Sequence, residues 1–514
     1  MKNNLPLLLL ILDGWGIAKP NKGNAIILAK TANYNKLIKT FPSTEICAHG
    51  DCVGLPSNQD GNSEAGHMNI GTGRVVGQDS IKINKQIDNK SFNNNPVFIE
   101  AFRHVEKYKS RLHLMGMLSN GMSAHSDPKH LAALLNLAKE KNVKNIYLHL
   151  FTDGRDSPKY AALKLIEELK NNFSNGEIIA TIIGRFYAMD RKKKWLRTKK
   201  TYEALIMGNG RVVNSSEEAI TESYNKGEND EFVEPYIIKN KKINTRIQDN
   251  DSVIFFNLRS DRARQLAKSF VQERFNEQNP GSFKRLKILK NLCFVALTDF
   301  GPDLDDILTA YPSEDLKGTL PMVLTDIKQL YIAETEKYAH VTYFFNGGYA
   351  GKVNGEDLQM ITSPDVRSYD ETPLMKSAEL INTVSSYVKK QKYDYTTLNL
   401  AAPDMIGHTG NLIAGIKCCQ GIDVLIGKIV KEYLNKNGTV IITADHGNIE
   451  EMINLETGEI DTEHSINPVP FILINNNFKN IKLRKNGVLG DIAPTILKIM
   501  GYDQPEEMTG KSLY

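Results

Sequence analysis

The sequence predicts an α/β protein of two domains, one built from both chain ends and the other inserted into it. Three observations predict this. Short apolar runs end again and again in a turn that carries a polar or charged residue. Helical patterns lie between many of those runs. Residue types suited to metal binding gather near the two ends, whereas the middle supplies arginines at the corresponding turns.

The runs come first. Leu7–Leu12 precedes Asp13, Ile146–Phe151 precedes Asp153, Ile178–Ile183 precedes Arg185, and Val253–Phe256 precedes Asn257. Leu292–Leu297 before Asp299, Tyr395–Leu400 before Asp404, and Thr439–Ile442 before Asp445 continue the series. His130–Lys141, Ala161–Asn171 and Met375–Lys390 carry helical periodicity. Strand, polar turn, helix is the pattern of an open α/β sheet. Ligands in such sheets collect at the carboxyl ends of strands, where these polar residues fall. The run Pro6–Leu12 is too short for a signal-peptide core, lacks a small-residue cleavage site and ends at a carboxylate, so it reads as a buried strand.

The chain has 514 residues, too many for one ordinary core, which makes two domains the expectation. The inserted segment is expected over 77–312, leaving 1–76 and 313–514 as one discontinuous domain. Lys239–Lys242 reads as a charged surface stretch. A net charge of +4 is small for this length and argues against a nucleic-acid protein. No apolar run reaches the roughly 18 residues of a membrane span. Five cysteines form an odd, sparse set without zinc-ribbon spacing. Free thiols in a reducing cytoplasm are the expected state.

The chemistry lies in a few stretches. Asp13-Gly14-Trp15-Gly16 follows a strand, and its glycines admit close backbone approach to a ligand. Taken alone, this stretch reads more readily as an ordinary strand-to-helix turn with an Asp cap. Ser63, within Gly61–His67, enters a helix whose first N–H groups favour a phosphoryl group. A hydroxyl becomes a competent nucleophile only when a metal or base lowers its pKa. The plainer alternative for Ser63 is a simple helix N-cap.

Asp445 and His446 are adjacent at a strand end, so both can turn toward one cation. Asp404 and His408 are four apart and share a face if their segment is helical. His464 precedes the extended stretch Asn467–Leu473. Mixed carboxylate and imidazole ligands suit manganese, cobalt or zinc better than magnesium alone. In the middle, Arg155, Arg185, Arg191, Arg259 and Arg262 stand after three strands. Their forks would bind a small acid carrying phosphate or carboxylate. Surface salt bridging is the bland alternative.

Several stretches carry a family likeness: Asp60–His67, Phe151–Asp156, Gly184–Arg191, Phe256–Arg264, Glu334–Gly348 and Ala444–Asn448. Together they make the chain similar to the cofactor-independent phosphoglycerate mutases of the alkaline phosphatase superfamily, over almost its whole length. The resemblance implies an alkaline-phosphatase-like metal domain from both termini and an inserted α/β substrate domain. It implies one metal on Asp404, His408 and His464, and another on Asp13, Ser63, Asp445 and His446. It implies two divalent ions, Mn2+ foremost with Co2+, Zn2+ or Mg2+ as alternatives, and no bisphosphoglycerate.

By the same resemblance Ser63 is transiently phosphorylated. His125, Arg155, Asp156, Arg185, Arg191, Arg259, Arg262 and Lys337 match substrate-contacting positions. Ser63, Asp156 and Lys337 are the expected catalytic residues, with Asp156 moving protons at the substrate hydroxyls. The reaction expected is interconversion of 3- and 2-phosphoglycerate by a cytoplasmic monomer, without nucleic acid or membrane. Asp60, Ala65 and Ser260 depart from the usual Met, Val and Pro, and none removes a reactive group. The rivals are a metal-dependent phosphatase and a silent metal-binding scaffold.

Overall fold

The computed structural model describes residues 6–240, 243–301, 303–304, 306–313, 316–455 and 457–514. Of the charged stretch Lys239–Lys242, Lys241 and Lys242 lie outside the described residues. The chain divides into two compact units, Met1–Gln78 with Asp315–Tyr514, and Asp79–Glu314. Each division falls two residues beyond the expected one, at 78 rather than 76 and at 314 rather than 312.

The first unit holds an eight-stranded sheet. From edge to edge its strands are Asp357–Ile361, Gln329–Glu334, Tyr395–Leu400, Leu7–Leu12, Thr439–Thr443, Val469–Ile474, Ser43–Cys47 and Gly487–Val488. Leu7–Leu12 runs parallel to both neighbours, with Leu9 opposite Thr397 on one side and Ile441 on the other. Every residue of that strand is buried, as expected for a strand covered on both faces. Val469–Ile474 is antiparallel to both of its neighbours.

Three parallel central strands therefore end side by side, and Asp13, Asp404 and Asp445 follow them. Helix Leu412–Leu434 packs the sheet with Cys418, Cys419, Ile422, Ile426, Ile429 and Tyr433 buried at helical spacing. The adjacent cysteines thus serve as small core hydrophobes.

The second unit has its own eight-stranded sheet. Its order is Leu308–Tyr311, Cys293–Thr298, Ser252–Phe255, Leu112–Met117, Ile146–Thr152, Ile178–Gly184, Tyr236–Ile238 and Arg211–Val213. All pairings are parallel except that of Tyr236–Ile238 with Ile178–Gly184. All seven apolar runs singled out in the sequence coincide with strands. The three helical patterns become Pro128–Glu140, Ala162–Lys170 and Ser377–Lys389.

One expectation is corrected. Cys47 and Cys52 form a disulfide, so only Cys293, Cys418 and Cys419 are free. The 3-10 turn Gly50–Val53 folds the chain back and brings the two Cα atoms to 5.9 Å, within bridging range. Sequence separation alone does not convey that turn. Among the described residues no helix is long and apolar enough to cross a membrane.

Candidate active site

In the first unit, sheet geometry brings the end-of-strand carboxylates together with residues from three loops. Ser63 is the first residue of helix Ser63–Thr72, and Asn62 caps that helix by accepting the Ala65 N–H at 2.9 Å. The cap role that Ser63 might have filled is therefore Asn62's. The Ser63 hydroxyl faces inward: Oγ accepts from Lys337 Nζ at 2.6 Å, lies 2.9 Å from His446 Nε2 and donates to Asp13 Oδ1 at 3.3 Å. Lys337 Nζ also pairs with Asp13 Oδ1 and Asp404 Oδ2, each at 2.7 Å. Burial pushes the Lys337 ammonium toward neutrality, but Asp13, Asp404 and Asp445 outweigh it and raise its pKa above the ordinary value.

The other ligand candidates close around this core. Helix Ala402–Gly407 carries Asp404 and ends at His408, so the two share a face. His408 Nε2 and His464 Nε2 each lie 3.3 Å from Asp404 Oδ1. His446 Nε2 lies 3.5 Å from both Asp13 Oδ1 and Asp445 Oδ2. All seven residues singled out as metal ligands thus fall in one cluster.

The donor set fits divalent cations on three observations. His408 Nδ1 donates to the Thr462 carbonyl at 2.8 Å and His464 Nδ1 to the Gly61 carbonyl at 2.8 Å. Each ring therefore turns an Nε2 lone pair inward, and these two atoms face each other at 3.0 Å. Two acceptors so placed call for a positive charge between them, and backbone-held imidazoles are the usual form of metal-ligating histidine. Second, Asp445 Oδ2 is wholly buried and its near neighbour is His67 Nδ1 at 3.2 Å, a nitrogen that also faces the Ser63 carbonyl. Third, the carboxylate field draws cations: against its burial, His446 is pushed up to about 9 by Asp445 and Asp13.

Ligand atoms converge within 4.8 Å in two sets, Asp404 with His446 and His464, and Asp13 with His67 and Asp445. His446 thus stands with the Asp404 group as well as beside Ser63, and His408 is the most exposed member at 40%.

Sequence reading gave His67 no role. Its Nε2 faces the Asn399 amide nitrogen at 3.0 Å, while its Nδ1 donates to the Ser63 carbonyl at 2.9 Å. Asn399 Nδ2 also donates to Asp13 Oδ2 at 2.6 Å. Both ring nitrogens of His67 are thus engaged, and the ring ties the nucleophile helix to the ligand strands. The available signal was Asn399 itself, an amide near the end of the apolar strand Tyr395–Leu400.

The second unit gathers the arginines around Asp156 and Asp261. Arg185, buried, pairs with Asp153 and with Asp156 Oδ2, the latter at 2.9 Å. Ser123 Oγ donates to the same Asp156 oxygen at 2.6 Å. Arg191 pairs with Asp261, Arg259 lies 3.8 Å from Asp261, and Arg262 donates to the Met189 carbonyl at 3.3 Å.

Burial, then Arg185, Arg191 and Arg155, lower the pKa of Arg262, which marks a concentration of positive charge. His125 is pushed down to about 4 by burial and by Arg185, and its buried Nδ1 has no hydrogen-bond partner. Arg155 lies 3.7 Å from Glu231 and is half exposed. Asp153 and Asp261, which hold the guanidinium groups in place, went unassigned from sequence. Lys337 belongs with the metal candidates of the first unit, not with the arginines.

Comparisons with known proteins agree with this geometry. Residues 83–301 match the family model described as the BPG-independent PGAM N-terminus. The 2,3-bisphosphoglycerate-independent phosphoglycerate mutase of Clostridium kluyveri is 46% identical, over 99% of this chain and 99% of its own. Phosphoglycerate mutase 1 of that kind from Methanosarcina acetivorans is also 46% identical, over 99% and 98%. A crystal structure of Leishmania mexicana phosphoglycerate mutase at low cobalt concentration superposes with a TM-score of 0.72 at 26% identity, covering 99% of this chain and 98% of that one.

The fold and the site define an α/β enzyme of two units, one built from both ends of the chain and the other inserted into it. Identity over the full length goes further: the chain belongs to the 2,3-bisphosphoglycerate-independent phosphoglycerate mutases, and it is an isomerase.

Proposed function

We propose that this enzyme interconverts 3-phosphoglycerate and 2-phosphoglycerate through a phosphorylated Ser63, with two divalent cations and no bisphosphoglycerate. The observation that carries the reading is the Ser63 hydroxyl, buried and held 2.6 Å from Lys337 Nζ and 2.9 Å from His446 Nε2 among three carboxylates. Asp404, His408, His464, Asp13, Asp445, His446 and Ser63 would hold the cations, Mn2+ foremost. When bound, these supply positive charge that lowers the hydroxyl pKa and offsets charge on phosphoryl oxygens.

The chain's own residues do the rest. Ser63 stands at the N-terminal end of its helix, whose dipole favours an incoming phosphoryl group. Ser63 Oγ passes its proton to Asp13 Oδ1, which accepts its hydrogen bond, and bonds to phosphorus as the bond to the glycerate oxygen breaks, that oxygen taking a proton from Asp156. Lys337 stays charged and close to Oγ, so it stabilises the phosphoryl oxygens during transfer. The reverse step with the other hydroxyl of glycerate completes the isomerisation.

Between the two transfers glycerate must stay bound. Arg155, Arg185, Arg191, Arg259 and Arg262, with His125, make the second unit the substrate-binding domain and would take the carboxylate. Asp156 is the proton carrier at the glycerate hydroxyls. Burial raises its pKa, but Ser123 and Arg185 outweigh burial and lower it, so it releases a proton readily. We place this reaction in the cytoplasm, carried out by a monomer on a small-molecule substrate. The Cys47–Cys52 bridge is the one feature unusual for that compartment.

Ser63→Ala tests the nucleophile. Turnover of 3-phosphoglycerate, coupled to enolase without added bisphosphoglycerate, should fall by roughly 10^4-fold or more while the bound metal content stays near normal. Turnover within tenfold of the parent would reject the phosphoserine route.

A further inference from the structure

The loops that carry the candidate ligands share one buried carboxylate. Glu450 is wholly buried. Its Oε2 accepts the Gly16 N–H and the Asn448 N–H, each at 2.9 Å. Its Oε1 accepts the Ser465 hydroxyl, and the Asn467 amide at 3.0 Å. Gly16 lies three residues after Asp13, Asn448 three after Asp445, and Ser465 directly after His464. One side chain thus fastens its own loop to that of His464 and to the distant loop of Asp13.

The surroundings are built for that approach. A Cβ on Gly16 would overlap the Glu450 carboxylate, and one on Gly447 would overlap Glu450 Oε1 and Ser465 Oγ. Glycine at both positions lets backbone meet carboxylate directly. The loops are also stitched to each other, by Ile449 N–H to the Gly14 carbonyl and Ser465 N–H to the Gly447 carbonyl, each at 3.0 Å. Asn448 then passes the constraint on, its amide donating to Asp404 Oδ1 at 2.8 Å.

We propose that Glu450 is a positioning residue: it holds the loops of Asp13, Asp445/His446 and His464 in the register in which they bind cations together. Hydrogen bonds to an ionised acceptor are stronger than neutral ones, and four donors satisfy this carboxylate. The inference rests on the metal-ligand reading proposed above. Removing the carboxylate leaves two backbone N–H groups and the Ser465 hydroxyl without this acceptor, while the Asn467 amide keeps Glu451 Oε2 at 2.8 Å, so the loops must shift to find others.

The test uses the full chain stripped of metal. Mn2+ binding is measured by calorimetry, and melting of the metal-free chain by circular dichroism. Glu450→Ala should weaken Mn2+ binding up to about a hundredfold, and Glu450→Gln about tenfold. Glutamine keeps one acceptor oxygen for Gly16 and Asn448, while Ser465 can reverse its hydroxyl.

The control is Asp423→Asn. Asp423 is buried and accepts from Asn33 N, Asn33 Nδ2 and Tyr34 N at 3.1, 3.1 and 2.7 Å, where helix Ala32–Thr40 begins. It should lower the melting temperature without changing Mn2+ affinity. Mn2+ affinity within about twofold of the parent in Glu450→Ala, with a melting loss like that of Asp423→Asn, would overturn the proposal. If the alanine chain does not fold, Glu450→Gln decides by the same criterion. A parent chain that takes up no Mn2+ would remove the ligand reading itself, and this inference with it.

Discussion

Glu334 ends the strand Gln329–Glu334 and is wholly buried. Its Oε1 accepts the Lys376 N–H at 3.0 Å, while Oε2 is buried beside Ser363 with no hydrogen-bond partner. Burial raises its pKa from 4.5 to about 7, against the pull of Lys376 and Ser363. A carboxyl whose folded-state pKa is raised stabilises the fold fully below pH 4.5, and that contribution is lost as pH rises through 7. Glu334→Gln removes the buried charge. It should leave unfolding free energy near that of the parent at pH 5 and raise it at pH 8, by at most about 3 kcal/mol. Urea unfolding at the two pH values checks this, and an equal effect at both would contradict it. Such a residue is invisible in the sequence, because only three-dimensional burial separates it from neighbouring Glu336.

At the scale of elements, Leu7–Leu12, Tyr395–Leu400 and Thr439–Thr443 were read as strands and are fully buried, although Thr396, Thr397 and Asn399 interrupt the second. Leu112–Met117 is also fully buried and was not singled out; it carries the imidazole of His113. In the fold that imidazole is satisfied on both sides, His113 Nδ1 lying 2.9 Å from His149 Nε2 and Nε2 lying 3.1 Å from Asp251 Oδ2. A polar residue with two buried partners is free to occupy a strand core, and no local pattern announces those partners.

The loop after Ser43–Cys47 is the other case. Its 3-10 turn turns two cysteines into a bridge that closes a short loop, which restricts the unfolded chain by roughly 2 kcal/mol. Titration of the denatured, unreduced chain should find three thiols of the five cysteines, and five after reductant. Five thiols without reductant would show that the pair is open in the cell and in solution.

At the scale of the whole molecule, the candidate site is assembled from residues as far apart as Asp13 and His464. Parallel strands must pair across that separation before the ligands meet, and such non-local pairing is slow to form. Asp13, Asp404 and Asp445 were named from sequence because each follows a strand, where an α/β sheet presents its functional groups. The nearness of His446 to Asp404 and of His67 to Asp13 was not, since it depends on how loops turn after the strands. The arginine cluster shows the same division: its guanidinium groups were named from sequence, while Asp153 and Asp261, which orient them, emerged only from the fold.

The central claim is that the Ser63 hydroxyl, between Lys337 and the clustered carboxylates and imidazoles, accepts the phosphoryl group. Rapid acid quench of the manganese-loaded enzyme during turnover of 3-phosphoglycerate, followed by peptide mass mapping, tests it directly. The account predicts phosphoserine at Ser63, formed without any bisphosphoglycerate and absent from Ser63→Ala. Steady isomerisation with Ser63 unmodified and the phosphate on another residue would contradict it.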